Sequence, residues 1–144
     1  MAFEMRQQLN EEIVKKDTFR NYYINGKKNG FEFDVQLAYY RGQYLSTIER
    51  LEVWLDGEEM PQEAVSFELN GKEIPVYRLQ WATTEFWSQV VPAKIRVIRP
   101  GGVSNGEHEL EFILKIRIPY MQIGPGHDYM PLDSSEKTTV NVQE

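Results

Sequence analysis

Cysteine is absent from this 144-residue chain. That excludes disulfides, thiolate metal sites and a cysteine nucleophile, and it suits a reducing compartment. Histidine is nearly absent too, with only His108 and His127. Basic charge is in short supply: 16 Lys and Arg stand against 22 Asp and Glu, a formal charge of −6. No Lys/Arg cluster builds the concentrated basic face that nucleic-acid phosphates require, so nucleic acid is not expected as a partner. No run approaches the roughly 20 apolar residues that cross a bilayer. The stretch MAFEMRQQLNEEIVKK lacks the apolar core of a signal peptide. A cytoplasmic protein away from membranes is the expectation.

Aromatic residues, in contrast, are plentiful: three Trp, eight Tyr and seven Phe. These are strand formers that also suit interfaces. Four segments alternate with period two, as half-buried strands do. Phe31, Phe33, Val35 and Leu37 share one face of FEFDVQL, and Leu51, Val53 and Leu55 one face of ERLEVWLDG. Ile95 and Val97 do the same in AKIRVIRP, and Leu110, Phe112, Leu114, Ile116 and Ile118 in HELEFILKIRIPY. NGKKNG (25–30) reads as the loop of a hairpin, and LDGEE, LNGKE, PGG and SNGEH punctuate the remainder. The pattern predicts an antiparallel β-sandwich, jelly-roll-like, in a single domain spanning 1–144 with at most one short helix. Residues 1–20 read as an N-terminal arm or, over Met5–Lys16, a short helix. Residues 122–144 read as a loop-rich segment with a last strand at TTVNV, and LQWATTEFW (79–87) as a turn of helix or a loop.

Groups able to do chemistry are few. His108 opens the longest strand after SNGE, where its expected role is to fix the corner by a hydrogen bond. His127 and Asp128 are neighbours in GPGHDYMP, but two adjacent ligands fall short of the about three or four that a zinc-type site needs. Glu109 and Glu111 alternate on the polar face of a strand, and Glu58 and Glu59 sit in a turn. Neither pair indicates the converging carboxylates of glycosidases. There is no G-x-S-x-G elbow, and PGG (100–102) lacks the pattern of a phosphate loop.

That leaves AYYRGQYLS (38–46). Tyr39, Tyr40, Arg41 and Tyr44 combine rigid rings with a planar donor fork, as interface residues do. Trp81, Phe86 and Trp87 add rings in a segment without strand periodicity. The rings either cap one end of the core or contact a partner. Tyr39, Tyr40, Arg41, Tyr44, Trp81 and Trp87 are the candidate partner-binding residues. A stand-alone carbohydrate-binding module is the alternative, since such rings also stack on sugars.

The order YYRGQYLS, ERLEVWLDGEE, VSFELNGKEI, PGGVSNGEHELEF, KIRIPYM resembles the beta subunit of bacterial C-glycoside deglycosidases, from about Gly30 to Met121. The resemblance implies a β-sandwich bound tightly to a larger alpha subunit, a TIM barrel similar to sugar-phosphate isomerases, in a higher-order hetero-oligomer. It implies a divalent metal of the Mn or Mg type and the acid/base residues on that partner, with no cofactor and no catalytic residue on this chain. Together the subunits would cleave the carbon–carbon bond between a 3-oxo-glucosyl unit and a flavonoid or other aromatic aglycone. The first twenty residues and GPGHDYMPLD lie outside the matching pattern. Whether His127 and Asp128 reach the mouth of the partner's active site stays open at this point.

Overall fold

The computed structural model describes residues 13–37, 43–88, 91–123, 128–133 and 135–143. The backbone alone is described at 43, 118–123 and 128–133. Two antiparallel sheets carry the fold. The first has the order β1 (Val14–Ile24), β2 (Lys27–Val35), β9 (Ala93–Ile98), β6 (Val65–Leu69) and β7 (Lys72–Pro75). The second is built on β10 (Gly106–Ile123). One side of β10 pairs with β4 (Ile48–Leu55), which continues to β5 (Glu58–Glu59). β11 (Asp128–Asp133) and β12 (Glu136–Val142) also pair with β10. A ribbon of β3 (Gln43–Tyr44) and β8 (Phe86–Trp87) stands apart.

The alternation read from the sequence becomes the core. Phe31, Phe33 and Phe67 of the first sheet and Val53, Phe112 and Leu114 of the second are fully buried. Phe33 meets Phe112 edge-on across the interlayer, with ring centroids 6.0 Å apart at 82°, the T-shaped geometry that aromatic quadrupoles favour. Within the second sheet Phe112 faces Val53 and Leu114 faces Leu51, so one apolar row lies over another.

Turn chemistry fixes the registers. Asn25–Gly26, Asp56–Gly57 and Asn70–Gly71 each have two consecutive positive φ angles, the type I′ geometry whose twist matches that of the flanking strands. The first hairpin loop is therefore two residues, where NGKKNG read as six. Its second Asn-Gly lies inside β2. Gly30 serves a close approach there: a Cβ would stand 1.9 Å from the Val97 carbonyl oxygen.

The ends of the chain differ from the expectation. β1 begins at Val14, so Lys15 and Lys16 are strand, and residues 1–12 lie outside the described residues. The expected last strand TTVNV lies in β12, but the stretch before it, expected as loop, contains β11 and the end of β10. Among the described residues the helical elements are three 3-10 segments: Leu45–Thr47, Gln62–Ala64 and Val76–Trp81.

The outer face of the first sheet is held by charge. Glu32, only 4% exposed, accepts from Arg20 and Arg96 and pairs with Lys94. Burial alone would raise its pKa. The Arg20 and Arg96 hydrogen bonds and the Lys94 charge outweigh that and hold it below the usual value. Arg96 continues to Glu73 at 3.1 Å and lies 5.0 Å over the Tyr22 ring.

Candidate partner-docking site

The expected aromatic site lies at the end of the sandwich where β4 begins. Tyr44 pairs with Phe86 across the β3–β8 ribbon, their rings edge-on at 5.1 Å. The chain then turns inward. Leu45 N–H donates to Glu85 O at 2.9 Å and Ser46 N–H to Ala82 O at 3.2 Å, binding the Leu45–Thr47 turn to the end of the Val76–Trp81 segment. The Thr47 hydroxyl closes the turn by donating to Tyr44 O at 2.7 Å.

The Val76–Trp81 segment follows Pro75 and repeats every three residues, the period of a 3-10 helix. Val76, Leu79 and Ala82 pack on the core. Tyr77, Arg78, Gln80 and Trp81 are left facing outward. Trp81 is 69% exposed, Tyr77 52%, Tyr44 49% and Phe86 46%. Arg78 lies 5.9 Å from the Tyr77 ring centroid. Beside the segment runs an open groove of about 670 Å³, lined by Arg50, Glu52, Gln62, Tyr77, Gln80 and Arg117 among others. Hydrogen bonds from Arg50 and, less strongly, from the Trp54 indole hold the Glu52 pKa below its usual value against the cost of burial. Arg117 pairs with Glu49 at 3.4 Å. A rigid apolar rim beside a charged groove is the composition of a protein interface.

The structure divides the expected residues. Tyr44 and Trp81 come together on this surface, and Phe86 and Tyr77 join them. Tyr77 was not anticipated from the sequence, although the three-residue repeat VxxL carries the signal. Trp87 is a correction. It is 1% exposed, meets Phe67 edge-on at 5.2 Å and donates from its indole to Val91 O at 2.9 Å. Its neighbour Phe86 takes the outward position because alternate residues of a strand face opposite ways. Tyr39, Tyr40, Arg41 and His127 lie outside the described residues. Asp128 opens β11, where only the backbone is described. Among the described residues no three His, Asp or Glu side chains cluster as a metal site would require.

His108 fixes a corner at the far end of β4. Its Nδ1 lies 2.6 Å from Asp56 Oδ2 and its Nε2 lies 2.8 Å from the Ser104 carbonyl oxygen. A carbonyl oxygen cannot donate, and both Asp56 oxygens already accept, the second from Glu109 N–H. The ring therefore donates from Nδ1 to Asp56, while Nε2 lies beside both the carbonyl and the hydroxyl oxygen of Ser104. Its pKa is raised, chiefly by the Asp56 hydrogen bond, and the same bond lowers that of Asp56.

Fold and surface together define a small antiparallel β-sandwich with an aromatic rim at one end. The profile of the C-glycoside deglycosidase beta subunit family matches residues 9–120. Similar chains include the C-glycoside deglycosidase beta subunit of Eubacterium cellulosolvens, 30% identical over 78% of both chains. The 3'-dehydrocarminate deglycosidase beta subunit of a Microbacterium species is 33% identical over 78% of this chain and 81% of that one. The beta subunit of Microbacterium trichothecenolyticum is 29% identical over 92% of this chain and 95% of its own. This chain belongs to the C-glycoside deglycosidase beta subunit family. The match begins well before Gly30, where the sequence motifs start.

Proposed function

We propose that the chain is the non-catalytic subunit of a heteromeric C-glycoside deglycosidase and docks through its aromatic rim onto a metal-dependent alpha subunit. The observation that carries this reading is the exposure of Tyr44, Tyr77, Trp81 and Phe86 at one end of the domain, where the other large rings among the described residues are buried or half-buried apart from Tyr23. Large exposed rings grouped in this way mark association surfaces. Family membership makes a partner subunit the natural occupant.

The reaction assigned to the pair is cleavage of the C–C bond joining a 3-oxo-glucosyl unit to an aromatic aglycone. The keto group acidifies the adjacent C–H. Once a base on the partner has taken that proton, the aglycone departs with the bonding electron pair and is itself protonated, leaving an unsaturated keto sugar. This chain's part is to hold the partner in its working shape. The partner is proposed to be a TIM barrel carrying a Mn- or Mg-type ion, and a cytoplasmic location goes with this reading. Among the described residues no helix is long and apolar enough to cross a membrane.

The test is to purify the chain alone and with the alpha subunit, and to assay a 3-oxo-glucosyl flavone. The pair should run as one species and release the aglycone, while the chain alone leaves the substrate intact. Turnover by the isolated chain, or separate migration of the two at micromolar concentration, would refute the proposal. Saturable binding of a C-glucoside by the isolated chain would favour the carbohydrate-binding alternative.

A further inference from the structure

The Val76–Trp81 segment sorts its side chains into three columns, because residues three apart eclipse in a 3-10 helix. Val76 and Leu79 are buried, and Ala82, whose N–H donates to Leu79 O at 3.0 Å, continues that column on the core. Tyr77, Gln80 and Thr83 form the second column and line the groove. Arg78 and Trp81 form the third. Both are exposed and neither lines the groove, so they stand on the ridge outside it.

The two outward columns differ in charge. The groove sets Glu49, Glu52 and Glu59 against Arg50 and Arg117, one carboxylate in excess. The ridge presents one guanidinium. The other arginines of the described residues have carboxylates within the chain: Arg20, Arg50, Arg96 and Arg117 each pair with a glutamate, and Asp56 attracts Arg99. Arg78 has no ion pair or side-chain hydrogen bond among the described residues. Glu85, just beyond the segment, is taken by Lys72 at 2.6 Å. The interaction Arg78 does make is with the Tyr77 ring, 5.9 Å from its guanidinium carbon. A guanidinium over a ring uses its face and leaves its N–H edge to other acceptors.

We propose, building on the docking reading above, that Arg78 receives a carboxylate of the alpha subunit, an aspartate or glutamate side chain set beside an apolar socket for Trp81. The planar fork gives such a group two parallel hydrogen bonds. Trp81, docked next to it, keeps water from the pair, as the apolar surround of an interface hot spot does. Val76 and Leu79 anchor the turn in the core, so the two groups are presented at a fixed spacing and little backbone ordering opposes binding.

Titration of the full chain against the alpha subunit at low and at high sodium chloride tests this. Arg78→Gln should weaken association about tenfold at low salt, the lower side for a hydrogen-bonded charge pair at an interface. The gap from the parent should narrow at high salt, as screening weakens the pair. Arg78→Lys, which keeps the charge without the fork, should recover only part of the loss. The free Arg78→Gln chain should melt like the parent, because the side chain is exposed. If Arg78→Gln assembles as tightly as the parent while Trp81→Ala does not, the carboxylate is refuted and the docking surface stands. If neither variant weakens assembly, both fall. A loss from Arg78→Gln that is equal at the two salt concentrations would mean packing instead of charge, and would also overturn the proposal.

Discussion

Trp81 and Trp87 stand six residues apart in chemically similar surroundings of sequence, yet truncating them should have opposite consequences. Trp87 is almost wholly buried, and a tryptophan buries about 150–250 Å². At about 25 cal/mol per Å² that is roughly 4–6 kcal/mol of transfer free energy as an upper bound. Measured truncations of this size cost about 3–5 kcal/mol. Trp87→Ala also removes the indole donor that Val91 O accepts from. For a domain of this length the melting temperature should fall by roughly 10 °C. Trp81→Ala removes a ring that mostly faces solvent, so the melting temperature should stay within the scatter of surface substitutions, about 0.5 kcal/mol. Its cost should appear in assembly. A docked Trp81 ring would lose well over 100 Å² of exposed surface, and central anchors of that kind cost about 2 kcal/mol or more, some thirtyfold in affinity. Thermal denaturation of the free chain and a titration against the alpha subunit measure the two effects separately. If Trp81→Ala unfolds the chain as Trp87→Ala does, or assembles as tightly as the parent, the placement of the docking surface is wrong.

Three further outcomes follow from the described contacts. Glu32→Ala should destabilise by about 2–3 kcal/mol, toward the lower side of values for broken buried ion pairs, because Arg20 is largely solvated and Arg96 keeps Glu73. Since Glu32 titrates below its usual value in the folded chain, that stability is present above the ordinary carboxylate range and lost as pH falls through the depressed pKa. An unchanged chemical-denaturation midpoint in the variant would contradict the account. The His108–Asp56 contact has the opposite pH sense for its imidazole, whose folded pKa is raised. Its contribution is complete below about pH 6.5 and disappears as pH rises through the elevated value. Asp56 is half-solvated, so the effect should be only about 0.5–1 kcal/mol. Melting curves at mildly acidic and alkaline pH, compared with His108→Gln, should show the difference only in the parent. Gly30→Ala forces a methyl onto the Val97 carbonyl and should cost at least the about 1–3 kcal/mol of an overpacked core, whereas Gly26→Ala meets no neighbour and should cost only the strain of its positive φ.

The central strands were legible because one face of each is buried and the other solvated, so burial writes period two directly into residues such as Leu110 to Ile116. The Asn-Gly and Asp-Gly turns were legible because few residues tolerate two positive φ angles in succession. Legibility failed where tertiary partners decide. TTVNV was legible as the last strand, but β11 owes its existence to hydrogen bonds along β10, and Pro131 interrupts any local strand pattern. The fate of Trp87 was decided by Phe67, twenty residues away. The outward position of Tyr77 was recoverable, but only by testing for a repeat of three. The cleft lined by Lys28, Arg99 and His108 could not be foreseen, since Lys28 lies far from the other two in the sequence and on a different strand.

β10, eighteen residues long, pairs with three other strands of the second sheet. Until it emerges from the ribosome, β4 has no strand neighbour among the described residues except the two residues of β5, and Phe33 lacks the Phe112 ring it meets in the finished core. The nascent chain must therefore carry the inner face of the first sheet without the β10 side chains that complete its cover. Folding is committed late, by long-range pairings of the slow kind, and crowding or chaperone supply during that interval should govern yield more than the stability of the finished domain.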